Sequence, residues 1–187
     1  MSEDSGPLLS HPGDREIIPW KNGLGTATEV ASSPAGATAD DFDWKVSIAT
    51  IAADAAFSVY DGVDRYIMPL SEAGLVLDEK GTRRALAQYD VLGFAGETAV
   101  AAIEVEGETT DLNLMVRRGI RSGSLEKRAV TGSAVLTTDD ETELVIVVLD
   151  GQLDLPEKLV AGDALVLGPD DFLMLAGTAT LAVATIS

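Results

Sequence analysis

The chain has 187 residues, 46% of them hydrophobic, so it is long enough for one large domain or two small ones and too apolar to be disordered. It carries 31 Asp and Glu against 13 Lys and Arg, and this net charge of −18 disfavours binding to nucleic-acid phosphates or anionic lipid. It has no cysteine and a single histidine, His11, which excludes disulfides and argues against metal sites built from Cys or His.

Residues 1–14 are predicted to be a flexible leader, because Gly, Ser and Pro are frequent between Ser5 and Gly13. This leader lacks the basic and apolar regions of a signal peptide, and no apolar run in the chain approaches the ~20 residues of a membrane span. We therefore expect a cytoplasmic protein.

The apolar runs are short, rich in Val, Ile, Leu and Thr, and broken at short intervals by Gly, Asp or Pro. This pattern predicts an all-β sandwich or barrel with little helix. One short helical turn is expected near Arg121–Lys127. The predicted strands are Thr26–Ala31, Trp44–Ile51, Arg65–Leu70, Gly74–Asp78, Arg83–Gln88, Val91–Phe94, Ala99–Val105, Leu112–Val116, Ser133–Thr137, Glu143–Leu149, Leu153–Leu155, Lys158–Val160, Ala164–Leu167, Phe172–Ala176 and Ala179–Ile186.

A weak internal repeat relates Arg84–Phe94 to Glu157–Leu167. Each segment reads as an apolar strand, a turn with an aspartate (Asp90 and Asp163) and a second apolar strand. This arrangement is typical of double-sheet β-barrels of the cupin type. The alternative is two unrelated hairpins.

The repeat predicts two cupin-like lobes, the first over residues 15–120 with the pocket and the second over residues 121–187. Cupin enzymes usually hold a metal through two or three His and a Glu, a set that this chain lacks. We therefore predict no metal and no cofactor.

The first candidate site motif is Pro19–Glu29, which contains two glycines that let the backbone approach a ligand closely. In this motif Trp20 can wall a pocket, Lys21 supplies a cation, Asn22 can donate and accept hydrogen bonds, and Thr26 opens the next strand. A surface turn with a tryptophan at the barrel mouth is the alternative.

The second motif is Phe57–Tyr66, where Arg65 begins a strand just after a tight turn. A guanidinium that points into a barrel mouth can bind both oxygens of a carboxylate. The alternative is an ion pair between Asp64 and Arg65, but adjacent residues of a strand face opposite ways.

The third motif is Asp111–Gly119, which alternates in polarity. One face is apolar and must meet a packed core, whereas Asp111 and Asn113 face a pocket or solvent. Arg117 either reaches the same pocket or pairs with an acidic neighbour. The apolar face consists of Leu112, Leu114 and Val116.

These stretches together resemble the HutD/Ves family, well over residues 14–120 and by pattern beyond. The matching pieces are Pro19–Gly23 with Thr26 and Glu29, Phe42–Ala49, Phe57–Ser58 with Gly62–Arg65, and Asp111–Gly119. The resemblance implies a metal-free bicupin of the RmlC-like jelly-roll type. It further implies a part in histidine utilisation, through binding an intermediate of histidine catabolism such as formylglutamate or urocanate.

The resemblance also implies which residues line the pocket: Trp20, Asn22, Thr26, Arg65 and Asn113. Members of the family often have three glycines after the asparagine, whereas this chain has Gly23-Leu24-Gly25. Leu24 is therefore expected to narrow the pocket or to change which backbone N–H groups reach the ligand.

The sequence thus predicts a protein that binds a small carboxylate, regulates rather than catalyses, and uses Lys21 beside the pocket residues just named. A metal-independent enzyme is one alternative, with Glu29 as general base and Lys21 stabilising negative charge. A protein-interaction scaffold that docks a partner or forms a homodimer is the other.

Overall fold

The computed structural model describes residues 7–187, which form sixteen strands and one 3-10 turn, Pro12–Asp14. No helix in this part of the chain has the length and hydropathy needed to cross a bilayer. The strands are β1 Leu8–Ser10, β2 Ile17–Pro19, β3 Thr26–Ser33, β4 Trp44–Ile51, β5 Ala55–Ala56, β6 Val63–Pro69, β7 Leu75–Glu79, β8 Thr82–Leu86, β9 Leu92–Ala95, β10 Val100–Ile103, β11 Thr109–Arg117, β12 Gly123–Thr137, β13 Glu143–Asp154, β14 Lys158–Val160, β15 Ala164–Leu167 and β16 Phe172–Ile186.

Residues 15–122 form one compact unit built from two antiparallel sheets. The larger sheet has the strand order β2-β3-β4-β11-β6-β9, and the smaller one has the order β5-β10-β7-β8. Each sheet runs between two end strands, so these residues form open sheets and no closed barrel.

The two sheets of this unit pack face to face through a core of alternating apolar side chains. Ile51, Ile67 and Phe94 come from the larger sheet, and Leu77 and Val100 come from the smaller one. Because side chains alternate along a strand, the other residues on the same face as Ile51 and Ile67 also point towards the space between the sheets. We call this the inner face of the larger sheet.

Residues 7–14 and 123–187 belong to a second compact unit. Its six strands form one antiparallel sheet with the order β1-β15-β13-β16-β12, in which β14 also pairs with β13. Alternate residues at the start of β13, Leu144, Ile146 and Val148, are buried in one apolar cluster.

The predicted strands agree well with the structure, and Trp44–Ile51, Lys158–Val160 and Ala164–Leu167 have the predicted bounds. The predicted break before Ala179 is wrong, because β16 is continuous through Gly177. A Cβ atom on Gly177 would lie 2.4 Å from the carbonyl oxygen of Gln152. The glycine therefore allows close strand contact, and does not mark a turn.

The helical turn predicted near Arg121–Lys127 is also wrong. The strand β12 starts at Gly123 and pairs with β16 over its whole length, from Gly123 opposite Ile186 to Thr137 opposite Phe172. Pairing with the distant strand β16 overrides the local helical preference here, because each residue of β12 packs against a cross-strand partner that lies far away in the sequence.

The predicted flexible leader requires correction over residues 7–14, while residues 1–6 lie outside the described part of the chain. Leu8–Ser10 pairs with β15, and Leu9 packs against the apolar cluster of the second unit. His11 then contacts Asp163, with its Nδ1 2.8 Å from Oδ1. The segment is therefore anchored at both its strand and its histidine.

The two segments of the predicted repeat share one turn geometry. Asp90 accepts a hydrogen bond from the N–H of Ala87, and Asp163 accepts one from the N–H of Val160. The residue before each aspartate, Tyr89 or Gly162, has positive φ.

In both turns, the N–H of the residue before the aspartate donates to a carbonyl oxygen on an earlier strand. Tyr89 donates to Pro69 in the first unit, and Gly162 donates to Val148 in the second. Strand β6 therefore corresponds to the start of β13, and β9 corresponds to β15. Each residue of these strands in the first unit has an equivalent residue in the second.

Candidate functional site

A cavity of about 310 Å³ lies over the inner face of the larger sheet in residues 15–122. This volume is at the small end of the roughly 300–1,000 Å³ found for small-molecule sites. Its walls come from β2, β3, β4, β6 and β11, and from the segments 37–42 and 57–60. On the sheet, Asn113 lies opposite Ser47 and Ile67, and these side chains therefore share the inner face.

Arg65 is a buried cation on β6, with only 7% of its surface exposed. Its Nη1 donates to the carbonyl of Ser58 at 3.0 Å, and its Nη2 donates to Oδ1 of Asn113 at 2.8 Å. Its Nε is buried without a partner among the described residues. Three aromatic rings surround the guanidinium, with centroids 5.1–5.7 Å from Cζ: Phe57, Tyr60 and Phe94.

Asn113 connects Arg65 to a buried carboxyl group. Because its Oδ1 accepts from Arg65, its Nδ2 must face the other way, and it donates to Oδ2 of Asp111 at 2.5 Å. The amide orientation is thereby determined by the guanidinium, which can only donate. The result is a continuous hydrogen-bonded chain from Ser58 through Arg65 and Asn113 to Asp111.

Asp111 is 1% exposed, and burial raises its pKa to about 7. The charge of Arg65 and the hydrogen bond from Asn113 act in the opposite direction but do not offset the loss of hydration. The second oxygen of Asp111, Oδ1, is buried without a partner in residues 7–187. The cavity wall therefore contains a carboxyl group that exists in both protonation states near neutral pH.

Lys45 is a second buried cation, which the sequence patterns did not indicate. It lies on β4 with 9% of its surface exposed, and its Nζ is 2.5 Å from Oε2 of Glu29. The other oxygen of Glu29 accepts from the hydroxyl of Ser32 at 2.7 Å. A lysine on a largely apolar strand, Trp44–Ile51, was the signal that could have identified it.

The charged side chains of the cavity wall give it a positive balance, although the whole chain carries a charge of −18. Three cations line it, Lys21, Lys45 and Arg65, against the two carboxyl groups of Glu29 and Asp111. This local excess suits an anion. In residues 7–187, no group of three or more His, Cys, Asp or Glu is placed to hold a metal ion.

Of the predicted site residues, Trp20, Lys21, Arg65 and Asn113 line the cavity. Trp20 packs edge-on against Phe57 with ring centroids 5.8 Å apart. Lys21 lies at the rim, where its Nζ is 2.5 Å from Asp40 and its side chain is about half exposed.

Asn22 and Thr26 lie outside the cavity wall and shape the loop beside it, which corrects their predicted role. Asn22 donates from Nδ2 to the carbonyl of Ala56 at 2.8 Å and accepts from the N–H of Leu24. The carbonyl of Thr26 accepts from the indole N–H of Trp20 at 2.9 Å. Both residues therefore position Trp20 and the loop.

Leu24 is 59% exposed and lies outside the cavity wall, so the expectation that it narrows the pocket is wrong. Arg117 also lies outside it and donates to the carbonyls of Phe42 and Asp40. Asp64 pairs with Arg118 at 2.8 Å, not with Arg65, in accord with the opposite directions of adjacent strand residues.

The second unit has apolar residues at the positions of the buried polar chain. Arg65 lies four residues before Pro69 and opposite Phe94, and Leu144 lies four residues before Val148 and opposite Leu167.

By the same alignment, the partners across the sheet correspond as well. Asn113, opposite Ile67, matches Val183, opposite Ile146. Asp111, opposite Pro69, matches Leu181, opposite Val148. The second unit packs its equivalents in an apolar cluster, so this fold does not require polar groups there.

The sheets and the cavity define an all-β protein with a cavity that contains buried charged groups on one antiparallel sheet. A family model described as HutD matches residues 14–186. The chain belongs to the HutD family. Protein Ves of Citrobacter koseri is 32% identical over 147 residues, which is 77% of this chain and 73% of that protein. An uncharacterized 21.2 kDa protein in the hutC 3′ region of Pseudomonas putida is 36% identical over 103 residues, 54% of each chain.

Solved structures include a HutD relative and a more distant protein that shares the fold. HutD from Pseudomonas fluorescens SBW25, in its formate-condition structure, has a TM-score of 0.81 at 26% identity and covers 97% of this chain and 98% of that chain. A cupin 2 conserved barrel domain protein from Leptotrichia buccalis has a TM-score of 0.57 at 9% identity, over 91% of this chain and 88% of that chain. The predicted family and the all-β, cupin-like fold are confirmed.

Proposed function

We propose that this protein binds a small carboxylic acid in the cavity, with Arg65 holding the carboxylate. One observation carries the proposal: Arg65 is buried, faces the cavity and makes two hydrogen bonds among the described residues, although a guanidinium has five N–H groups. A buried charge without full compensation is unfavourable by several kcal/mol, which a bound carboxylate would offset.

The surroundings of Arg65 orient its guanidinium in a way that suits a carboxylate. Ser58 and Asn113 hold the two Nη atoms, so the guanidinium plane is oriented before a ligand arrives. A planar fork of this kind matches the two oxygens of a carboxylate, and each charge-assisted bond contributes roughly 1.5–3 kcal/mol.

The family suggests the source of the acid. The Pseudomonas putida relative is encoded in a hutC 3′ region, and the Pseudomonas fluorescens structure is a HutD in a formate condition. We therefore propose a role in histidine utilisation, with formylglutamate and urocanate as the first ligands to test. Each carries a carboxylate that Arg65 can hold.

The proposal extends to the remaining expectations from the sequence. We propose a cytoplasmic, metal-free bicupin whose two units are versions of one lobe, supported by the matching turns at Asp90 and Asp163. The charge of −18 supports a small-molecule partner over nucleic acid or membrane. An enzyme that uses Glu29 and Lys21 has less support, because each is already in an ion pair.

The test is calorimetric titration of formylglutamate and urocanate into the wild type, Arg65→Met and Arg118→Met. Arg65→Met keeps an unbranched apolar stem, and Arg118→Met removes the same charge from an exposed position paired with Asp64 and Glu97. We expect Arg65→Met to weaken binding at least tenfold, about the loss of one charge-assisted bond, and Arg118→Met to leave it unchanged.

Absence of heat with either acid in the wild type would show that these ligands are wrong. Equal affinity in the wild type and Arg65→Met would remove Arg65 from the site. The thermal unfolding of both variants, followed by circular dichroism, checks that each is folded at the titration temperature.

A further inference from the structure

The cavity wall contains a second polar centre two strands from Arg65, the pair of Lys45 and Glu29. Met115 lies between the two cations, since it pairs with Arg65 on β6 and with Lys45 on β4. All three side chains line the cavity from the same face of the sheet. Two strand spacings separate the backbones of Arg65 and Lys45, which is roughly 10 Å.

Lys45 has hydrogen-bonding capacity left over. Its ammonium group has three N–H donors, and its partner in residues 7–187 is Glu29. Nine-tenths of the residue is buried and it faces the cavity, so water cannot fully solvate the other two donors. A ligand acceptor in the cavity would supply the missing hydrogen bond.

The charge of Lys45 is already compensated. Glu29 lies 2.5 Å away and is itself held by the hydroxyl of Ser32. A ligand carboxylate placed at Lys45 would have to compete with Glu29 for the ammonium group and would be repelled by Glu29 in a poorly hydrated site. A neutral carbonyl adds a hydrogen bond to Lys45 without this repulsion.

We propose that the ligand is a small acid whose end away from the Arg65-bound carboxylate is a neutral amide-like group, bound by Lys45 and Glu29 two strands from Arg65. The carbonyl accepts from Lys45, and an amide N–H donates to a remaining lone pair of Glu29. This inference rests on the proposed function, in which Arg65 holds the carboxylate. It adds that the protein distinguishes small acids by the charge at their other end.

The experiment compares acids that differ only at the far end. Valerate, glutaramate and glutarate share a five-carbon chain and end in a methyl, a neutral amide and a carboxylate; caproate, adipamate and adipate repeat the series with six carbons. Each is titrated into the wild type, into Glu29→Gln and into the double variant Glu29→Gln, Lys45→Met. The double variant leaves no unpaired charge, so it is expected to fold.

We expect the wild type to bind the monoamide of at least one chain length about tenfold more tightly than its alkanoate and its dicarboxylate partners. In Glu29→Gln the charge of Lys45 is no longer compensated, and the order should reverse so that the dicarboxylate binds best. In the double variant the advantage of the amide over the alkanoate should fall to about threefold or less.

A wild type that prefers the dicarboxylate or the alkanoate would overturn the inference, and so would an unchanged order in Glu29→Gln. Failure of all six acids to bind the wild type would overturn it as well. The role of Arg65 is judged separately, by the titrations of formylglutamate and urocanate, so the two failures are distinguishable.

Discussion

The buried environment of Asp111 gives the protein a carboxyl group that titrates near neutral pH. Its carboxyl group is buried beside Asn113, and its pKa in the folded protein is about 7, compared with 3.8 in a solvated chain. The folded state therefore binds a proton at Asp111 more tightly than the unfolded state does. This contribution to stability is fully present below about pH 4 and is lost as the pH rises through about 7.

We expect Asp111→Asn to gain stability relative to the wild type as the pH rises from 5 to 8. The neutral amide has no charge to bury, whereas Asp111 becomes ionised, and three pKa units correspond to an upper bound on the order of 4 kcal/mol. The free energies of unfolding in urea at pH 5, 6, 7 and 8 measure this difference. A difference that stays constant across these pH values would contradict a raised pKa for Asp111.

The strand β1 shows how an element is held by contacts distant in sequence. It pairs with β15, and the adjacent His11 places Nδ1 2.8 Å from Asp163 and Nε2 3.3 Å from Glu157. The hydrogen bond to Asp163 is the main cause that raises the pKa of His11 above 6.5. The protonated histidine therefore stabilises β1 below about pH 6.5, and this effect is lost as the pH rises through the raised pKa.

We expect the amides of β1 to lose protection from hydrogen exchange between pH 6 and pH 8 in the wild type. Protection factors, which remove the intrinsic pH dependence of exchange, are the quantity to compare. In His11→Gln they should be lower at pH 6 and independent of pH, while the amides of β16 serve as the internal control. A pH trend in the variant equal to that of the wild type would exclude His11 as its cause.

At the scale of the whole molecule, the two units use the same turns but differ in what they bury. Where the first unit has Arg65, Asn113 and Asp111, the second has Leu144, Val183 and Leu181. These three residues of the second unit pack in one apolar cluster. Buried polar groups are usually less favourable than apolar groups of similar volume. The polar chain in the first unit therefore supports the proposed binding site.

We expect the triple variant Arg65→Leu, Asn113→Val, Asp111→Leu to fold, to lose carboxylate binding, and to be more stable than the wild type at pH 8 by about 1–4 kcal/mol. Urea unfolding and calorimetry measure the two effects. Arg65→Leu alone is the control, since it leaves Asp111 buried without its cation and should be less stable than the triple variant. A triple variant several kcal/mol less stable than the wild type would show that the polar chain is structural.

Much of the candidate site could be predicted from local patterns. Alternation along Asp111–Gly119 placed Asn113 on the polar face, and the turn before Arg65 suggested a cation at the end of a strand. Lys45 was missed because its burial depends on pairing with β3 and β11, which the local sequence does not reveal. Asn22 was assigned to the pocket, but its side chain bonds to Ala56, thirty-four residues away.

The sequence by itself determined the all-β class, most strand positions, the acidic net charge and the family, because alternating hydrophobicity and short motifs are local properties of a chain. The tertiary structure decided that β12 runs as one strand from Gly123 to Thr137, and that residues 7–14 are anchored to the second unit through β15 and Asp163. It also decided that Arg65, Asn113, Asp111 and the pair of Lys45 and Glu29 share one cavity. Register between distant strands sets these outcomes, and register depends on cross-strand packing that no single segment encodes.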